Sequence, residues 1–343
     1  IVKIVLKENN LSGTIPHELS YLSPTLHHLI LSKNSLTGRF PNFSHTFSNK
    51  PLFPNLNTLM LNSNSLTGTI PPTFFFNHKN DNSFQSLNFL SLGNNALWGT
   101  LPDELFDITT ITKLDLCCNN FYGTLPHQLF DNLTQLQKLH LGDNSLFGTL
   151  SLGFENMSKS LELLILKDND FVGSLPSTLF ARENVLYRLD VSNNALVSSS
   201  TGDGGVREHK EVLPPEAYDN GKHTLRYLNL SGNRFDGSIS SRFSELENLV
   251  ELRLERNLLQ GVIPENVLGN LKDLKLLNVS YNHFKGSMPL DVCRLQNDNG
   301  NHNNNGGGGV LTSLTADCED HGSAASHGNG FMECDCCTLC LGG

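Results

Sequence analysis

The sequence predicts an α/β repeat solenoid, a curved right-handed superhelix with a concave parallel β-sheet. Three observations carry that prediction. The pattern L-x-x-L-x-L-x-x-N-x-L-x-G-x-L-P returns eleven times between Ile1 and Pro289, with Ile, Val, Phe or Met standing in for Leu. An Asn follows the last apolar strand residue by three positions every time, at Asn9, Asn34, Asn64, Asn95, Asn119, Asn144, Asn169, Asn194, Asn233, Asn257 and Asn282. A Gly four residues later is present in ten of the eleven units, and Pro closes eight of them. Chance does not produce such a register.

Each element of the motif has a physical task. In Leu136, Leu139 and Leu141 the last two residues alternate along a short strand and point inward, while the residues between them face solvent. The Asn carboxamide has two donors and an acceptor, enough to satisfy backbone groups where the chain leaves the strand. A single unit cannot bury its own apolar face, so stacking neighbours supply the core. Adjacent strands are then expected about 4.8 Å apart.

The segments Leu66-Thr67-Gly68-Thr69-Ile70-Pro71 and Leu259-Gln260-Gly261-Val262-Ile263-Pro264 resemble the plant-type extracellular subclass of leucine-rich repeats found in receptor-like kinases, receptor-like proteins and polygalacturonase-inhibiting proteins. The resemblance spans about 290 residues and is specific for fold rather than for ligand. It implies a secreted or cell-surface recognition module that binds a protein or peptide, with no cofactor and no catalysis of its own. An inhibitor of a secreted polysaccharide-degrading hydrolase and a structural or adhesive wall component are the rival readings.

Composition narrows the classes further. A net charge of -10 and a pI near 5.7 argue against nucleic acid, which needs a basic face for its phosphates. The chain has no run of 18 apolar residues, so no membrane span is expected. Nor is a signal peptide expected within these residues. Ile1, Ile4 and Leu6 already occupy strand positions, so the expectation is a chain that has lost its N-terminal cap. An end at Leu341-Gly342-Gly343 without a spanning helix favours a secreted binder over an anchored one. Oligomeric state is not readable.

The repeats fill 1–292, with eleven units, and a Cys-rich C-terminal cap fills 293–343. Spacing between equivalent Leu residues rises from 24 or 25 to 30 after Leu26, 31 after Leu56 and 39 after Leu186. Loops are therefore inserted around Phe43 to Pro54, around Phe74 to Phe84, and near 198–211. The last is rich in Ser and Gly and reads as a polar surface excursion. The stretch 296–309 has no apolar residue and is expected to be disordered. Beyond it, Leu311 and Leu314 restart the rhythm as a capping strand.

Six cysteines crowd this tail: Cys293, Cys318, Cys334, Cys336, Cys337 and Cys340. They are expected to form disulfides, as suits the end of a solenoid in an oxidising compartment. Zinc is the alternative, but C-x-C-C-x-x-C is not a recognised finger spacing. The tail is also similar to those of leucine-rich repeat proteins predicted from diatom genomes, which brings no function with it. Cys117 and Cys118 stand apart, free or paired with each other.

On the concave face the apolar residues come first, with Val5, Ile30, Met60 and Phe89 forming a candidate contact patch. Charges of both signs follow, among them Asp115, His140, Lys167, Arg188 and Asp190, suited to a polar or peptide ligand. Asp115, His140 and Cys117 fall near enough to raise a metal or an acid–base pair. That option is set aside because polar residues on a sheet face are ordinarily solvated. No catalytic residues and no metal ligands are assigned. Sequons at Asn10, Asn42, Asn132, Asn156, Asn229 and Asn278 are candidate glycosylation sites. Glycans on Asn229 and Asn278 would block the far end of the face, which places the ligand over repeats two to eight.

Overall fold

The computed structural model describes residues 1–41, 52–75, 83–150, 152–157, 159–201, 209–297, 311–317, 332–333, 337 and 339–341. The chain divides into two compact units, Ile1–Asp170 and Phe171–Gly343.

The first unit is built on seven three-residue strands in parallel register: β1 (Lys3–Val5), β2 (His28–Ile30), β3 (Thr58–Met60), β4 (Phe89–Ser91), β5 (Lys113–Asp115), β6 (Lys138–His140) and β7 (Leu163–Ile165). The pairing is strictly one repeat to the next, so Leu29, Leu59, Leu90, Leu114, Leu139 and Leu164 stack as one buried column. Period-2 alternation then turns the first and third residue of every strand outward. Short helices return the chain on the other side of the core, at His17–Leu22, Pro72–Phe75, Asp103–Asp107 and His127–Asn132. Pro16, Pro102 and Pro126 precede three of these helices with extended backbone, where the fixed φ of proline and its missing N–H cost nothing. Buried aromatic rings fill the helix side, Phe130 and Phe154 meeting edge to face at 4.7 Å.

Short strands also pair after each ladder Asn, such as Ala96–Gly99 with Asn120–Gly123. The repeat Gly sits here in the left-handed region. Gly99 has φ +101°, and a Cβ on it would lie 2.8 Å from the Thr69 methyl. Backbone and packing both require glycine.

The second unit repeats this plan on β8 (Arg188–Asp190), β9 (Tyr227–Asn229), β10 (Glu251–Arg253) and β11 (Leu276–Asn278). The tail then extends the sheet with β12 (Ser313–Asp317), which pairs with β11, and β13 (Leu339–Leu341), which pairs with β12. Asp317 accepts the Asn282 N–H at 3.2 Å, as Asn34 accepts the Asn9 N–H at 2.9 Å. A carboxylate there does part of a ladder Asn's work.

The insertion near 198–211 differs from a structureless excursion. Ser199–Thr201 and His209–Glu211 pair as antiparallel strands. Ser198, which stands where the repeat Gly is missing, is buried and holds Asp236 through both its carbonyl (2.7 Å) and its N–H (3.0 Å). The hairpin therefore starts from a fixed anchor. Of the tail cysteines, Cys293 and Cys337 are disulfide-bonded. Cys318, Cys334 and Cys336, most of 296–309 and most of the Phe43 to Pro54 and Phe74 to Phe84 insertions lie outside the described residues. Cys340 lies on β13.

The Asn ladder joins one repeat to the next. Asn144 Nδ2 donates to its own turn, at the Leu141 and Gly142 carbonyls (3.0 and 3.1 Å), and to the preceding repeat at the Leu116 carbonyl (3.2 Å). Its Oδ1 accepts the Phe121 N–H at 3.0 Å. Equivalent bonds recur at Asn64, Asn95, Asn119 and Asn169 in this unit. Uniform burial is not required for this role: Asn119, Asn169, Asn233 and Asn257 are buried, most others are half-buried, and Asn9 is exposed. Replacing Asn144 by Ala orphans the Phe121 N–H and removes one of the donors from each of the Leu116, Leu141 and Gly142 carbonyls, which keep Asn119, Asn169 and the Cys118 N–H. It is expected to destabilise the protein by about 1–3 kcal/mol. The urea unfolding midpoint measures this, with Asn9→Ala, which has a single side-chain donor bond, to Lys7, at 2.9 Å, as the small-effect comparison.

For the tail, we propose that all six cysteines are oxidised. Intact mass with alkylation, before and after reductant, should count two free thiols per chain and then eight.

Candidate functional site

Parallel register places three outward columns on the strand face of the first unit. The first residue of each strand gives Lys3, His28, Thr58, Phe89, Lys113, Lys138 and Leu163, and the third gives Val5, Ile30, Met60, Ser91, Asp115, His140 and Ile165. Two residues on, a further column runs Lys7, Ser32, Asn62, Gly93, Cys117, Gly142 and Lys167. Ile30, Met60 and Phe89 are half-buried and Val5 is 47% exposed. Their apolar character is therefore present at the surface, in adjoining repeats. Phe89 also carries the Lys113 ammonium at 6.0 Å from its ring centre, so this patch passes directly into the charged one.

In the charged part, β5 and β6 bring Asp115 and His140 opposite each other, with Oδ1 and Nδ1 3.5 Å apart. Ser91 donates to Asp115 Oδ2 at 2.8 Å, and the Cys117 N–H donates to Oδ1 at 3.3 Å. The carboxylate is held from two sides. Lys167 bridges Asp143 and Asp168 at 2.8 and 3.0 Å. The Asp143 bond, with Asp168 behind it, holds the Lys167 ammonium well above its ordinary pKa, so it stays charged.

Cys117 and Cys118 have Sγ atoms 3.1 Å apart as free thiols, and Cys118 Sγ also faces Asp143 Oδ2 at 3.7 Å. Cys118 has φ 56°, in the left-handed region where the other repeats place residues such as Asn94, Asp143 and Asn193. Burial pushes the Cys117 thiol strongly upward, with Cys118 and Asp115 adding to the shift, and burial raises Cys118 as well. Both are thiols at neutral pH. Because thiolate is the nucleophile, iodoacetamide at neutral pH should label Cys118, which is half-buried, faster than the buried Cys117. Peptide mapping over a labelling time course reads the two rates.

The remaining sequence candidates behave differently. In the second unit, Arg188 stacks over the Tyr227 ring at 5.4 Å. Asp190 is only 7% exposed. Its Oδ1 accepts from the Ser192 N–H at 3.1 Å and hydroxyl at 2.7 Å, so this carboxylate serves the turn and offers little to a ligand. The same bonds recur from Ser231 to Asn229 and from Ser280 to Asn278. Two of the sequons are thus also a turn device, one that Asp190 and Ser192 form without a sequon. Asn132 donates to Asp107 at 3.0 Å and Asn156 to Asp131 at 3.5 Å; Asn10 is exposed, and Asn42 lies outside the described residues.

Sequence reasoning passed over a second feature. Trp98, Tyr122 and Phe147 are about half exposed on successive repeats of the second strand set. Each directly precedes the repeat Gly, which is the signal that would have found them.

The match to known proteins follows the repeat. A family model described as Leucine Rich Repeat matches residues 55–77 and 224–246. Receptor-like protein 35 of Arabidopsis thaliana is 29% identical over 161 residues, covering 46% of this chain and 15% of its own. Receptor like protein 27 of Arabidopsis thaliana is 30% identical over 171 residues, covering 46% and 20%. The chain thus spans a fifth or less of these relatives. Among solved structures, the ectodomain of the Arabidopsis thaliana membrane receptor kinase GASSHO1/SCHENGEN3, in complex with Casparian strip integrity factor 2, superposes with a TM-score of 0.66 at 29% identity, covering 85% of this chain and 34% of that one. The Arabidopsis receptor kinase HAESA, in complex with the peptide hormone IDA and the co-receptor SERK1, gives 0.57 at 26% identity, covering 93% and 58%. No catalytic family is indicated among these matches. With eleven Asn-centred repeats and parallel one-strand-per-unit sheets, the chain is a leucine-rich repeat protein whose repeats are similar to those of plant receptor-like proteins.

Proposed function

We propose that this chain is an extracellular or cell-surface recognition module that binds a peptide or protein ligand along the strand face of its first unit. One observation carries the reading. Ile30, Met60, Phe89, Asp115 and His140 stand on consecutive in-register strands and Lys167 follows the next strand by two residues, which is an apolar patch running into a polar one on a preformed support. Strands about 4.8 Å apart present these groups at intervals that an extended peptide crossing the sheet can meet one after another. Because the sheet is preformed, little ordering cost falls on the protein side when the ligand binds. Supporting this, HAESA was solved with the peptide hormone IDA and the GASSHO1/SCHENGEN3 ectodomain with Casparian strip integrity factor 2.

The experiment is selection of ligands from a displayed library of secreted peptides, followed by affinity measurement on variants. Met60→Asp puts a charge into the apolar patch and should weaken a selected peptide by at least about tenfold, the effect of one lost buried contact. Lys167→Glu should weaken it and flatten its salt dependence. Lys285→Glu, in the second unit, should leave affinity unchanged. Selected ligands that bind Met60→Asp and Lys167→Glu as well as the parent would place recognition elsewhere.

A further inference from the structure

We propose that Asp115, Cys117 and His140 form a binding site for a divalent transition-metal cation of the zinc class. A carboxylate oxygen, a thiol sulfur and an imidazole nitrogen here lie within 4.8 Å of one another. The repeat itself assembles them. Asp115 and His140 are register partners on β5 and β6, and Cys117 follows Asp115 by two residues on the same outward side.

Two glycines leave space beside the group. Cys117 is flanked in its column by Gly93 and Gly142, where other repeats carry Ser32, Asn62 or Lys167. A Cβ at Gly93 would lie 2.9 and 3.1 Å from the Asp115 oxygens and 3.1 Å from Cys117 Sγ. At Gly142 it would lie 3.4 Å from His140 Nε2 and 3.0 Å from Lys167 Cγ. Neither glycine has a positive φ, so the backbone does not demand glycine at either position. Their effect is on the space beside the carboxylate, thiol and imidazole: any side chain at Gly93 would occupy it.

The donor set selects the ion. Sulfur and imidazole nitrogen with one carboxylate oxygen suit a borderline-soft cation bound at about 2.0–2.3 Å, and do not suit the all-oxygen shells of calcium or magnesium. Tetrahedral bonds of that length put ligand atoms roughly 3.5 Å apart. Asp115 and His140 already stand at 3.5 Å, and the Cys117 sulfur, within 4.8 Å of both, moves in to complete three protein ligands, with water in the fourth position. Ser91 holds Asp115 Oδ2 and leaves Oδ1 toward the imidazole, an outer contact that fixes the ligand's orientation. Lys167 is tied to Asp143 and Asp168, which offsets its charge. On binding, the Cys117 proton passes to water and a sulfur–metal bond forms. Two anionic ligands then balance the dication, with no change of oxidation state. Cys118 is left outside the set, because its sulfur faces Asp143.

The test is titration of the purified, non-reduced protein with Co²⁺, reading sulfur-to-metal charge-transfer absorption in the near ultraviolet, with Zn²⁺ as competitor. The proposal predicts one equivalent of bound Co²⁺ that Zn²⁺ displaces. It also predicts that Cys117→Ser abolishes the absorption, that His140→Ala and Asp115→Asn weaken binding by at least about tenfold, and that Gly93→Val does so with all three ligands intact. Far-ultraviolet circular dichroism checks that each variant is folded. Cys118→Ser, which cannot form a disulfide with Cys117, should keep the absorption. Absorption in Cys118→Ser alone supports the site and shows that Cys117–Cys118 oxidation closes it. No absorption in either protein, or absorption that survives Cys117→Ser and so belongs to the Cys-rich tail, overturns the proposal.

Discussion

The structure depends on the satisfaction of backbone groups where each strand turns. A strand of three residues has few ladder bonds of its own, and beyond it groups such as the Leu141 carbonyl and the Phe121 N–H are met by Asn side chains. Asn resolves this because one carboxamide serves two repeats. Asn144 bonds carbonyls at Leu116, Leu141 and Gly142 and also holds the N–H of Phe121. Register follows from it. A repeat that slipped by one residue would carry its Asn away from the carbonyls it must meet, and would turn Leu139 and its equivalents outward. The apolar column supplies the driving force for stacking, while the amides set its alignment.

That division explains what could be read in the sequence. Leu and Asn positions are dictated by burial and by hydrogen bonding, and both are local in each repeat. Strand positions, the repeat Gly at positions such as Gly99 and the strand at Ser313–Asp317 were legible, but Ser313–Asp317 is not the last strand, since Leu339–Leu341 pairs beyond it. Burial does not mark the ladder, since Asn9 holds its turn while exposed and Asn144 while half-buried. Satisfying a backbone group requires only a partner.

The outward face was less legible, because there the strand period says which side a residue faces and nothing about what it touches. Asp190 reads as one more charge in a row with Asp115. In the folded chain Ser192 takes its carboxylate, as Ser231 takes the carboxamide of Asn229. The separating signal is a Ser two residues downstream: Asp115 has Cys117 there, which donates through its backbone but leaves both carboxylate oxygens turned toward Ser91 and His140. The insertion after Leu196 misleads similarly. Its Ser and Gly content suggests a loose loop, but Ser198 anchors its start and antiparallel pairing joins its arms.

Small residues on this face therefore carry information comparable to the large ones. A solenoid presents an almost continuous surface, since each outward side chain is followed about 4.8 Å away by its counterpart in the next repeat. Concave features arise only where a column loses a side chain. Gly93 and Gly142 produce such a loss on either side of Cys117, and the carboxylate, thiol and imidazole that meet there come from two consecutive repeats. A recognition face made of large residues can shift its ligand by one repeat at modest cost, because the neighbouring positions are alike. A gap defined by two glycines and three dissimilar side chains occurs once in its column, so it breaks the likeness between neighbouring positions along the strands.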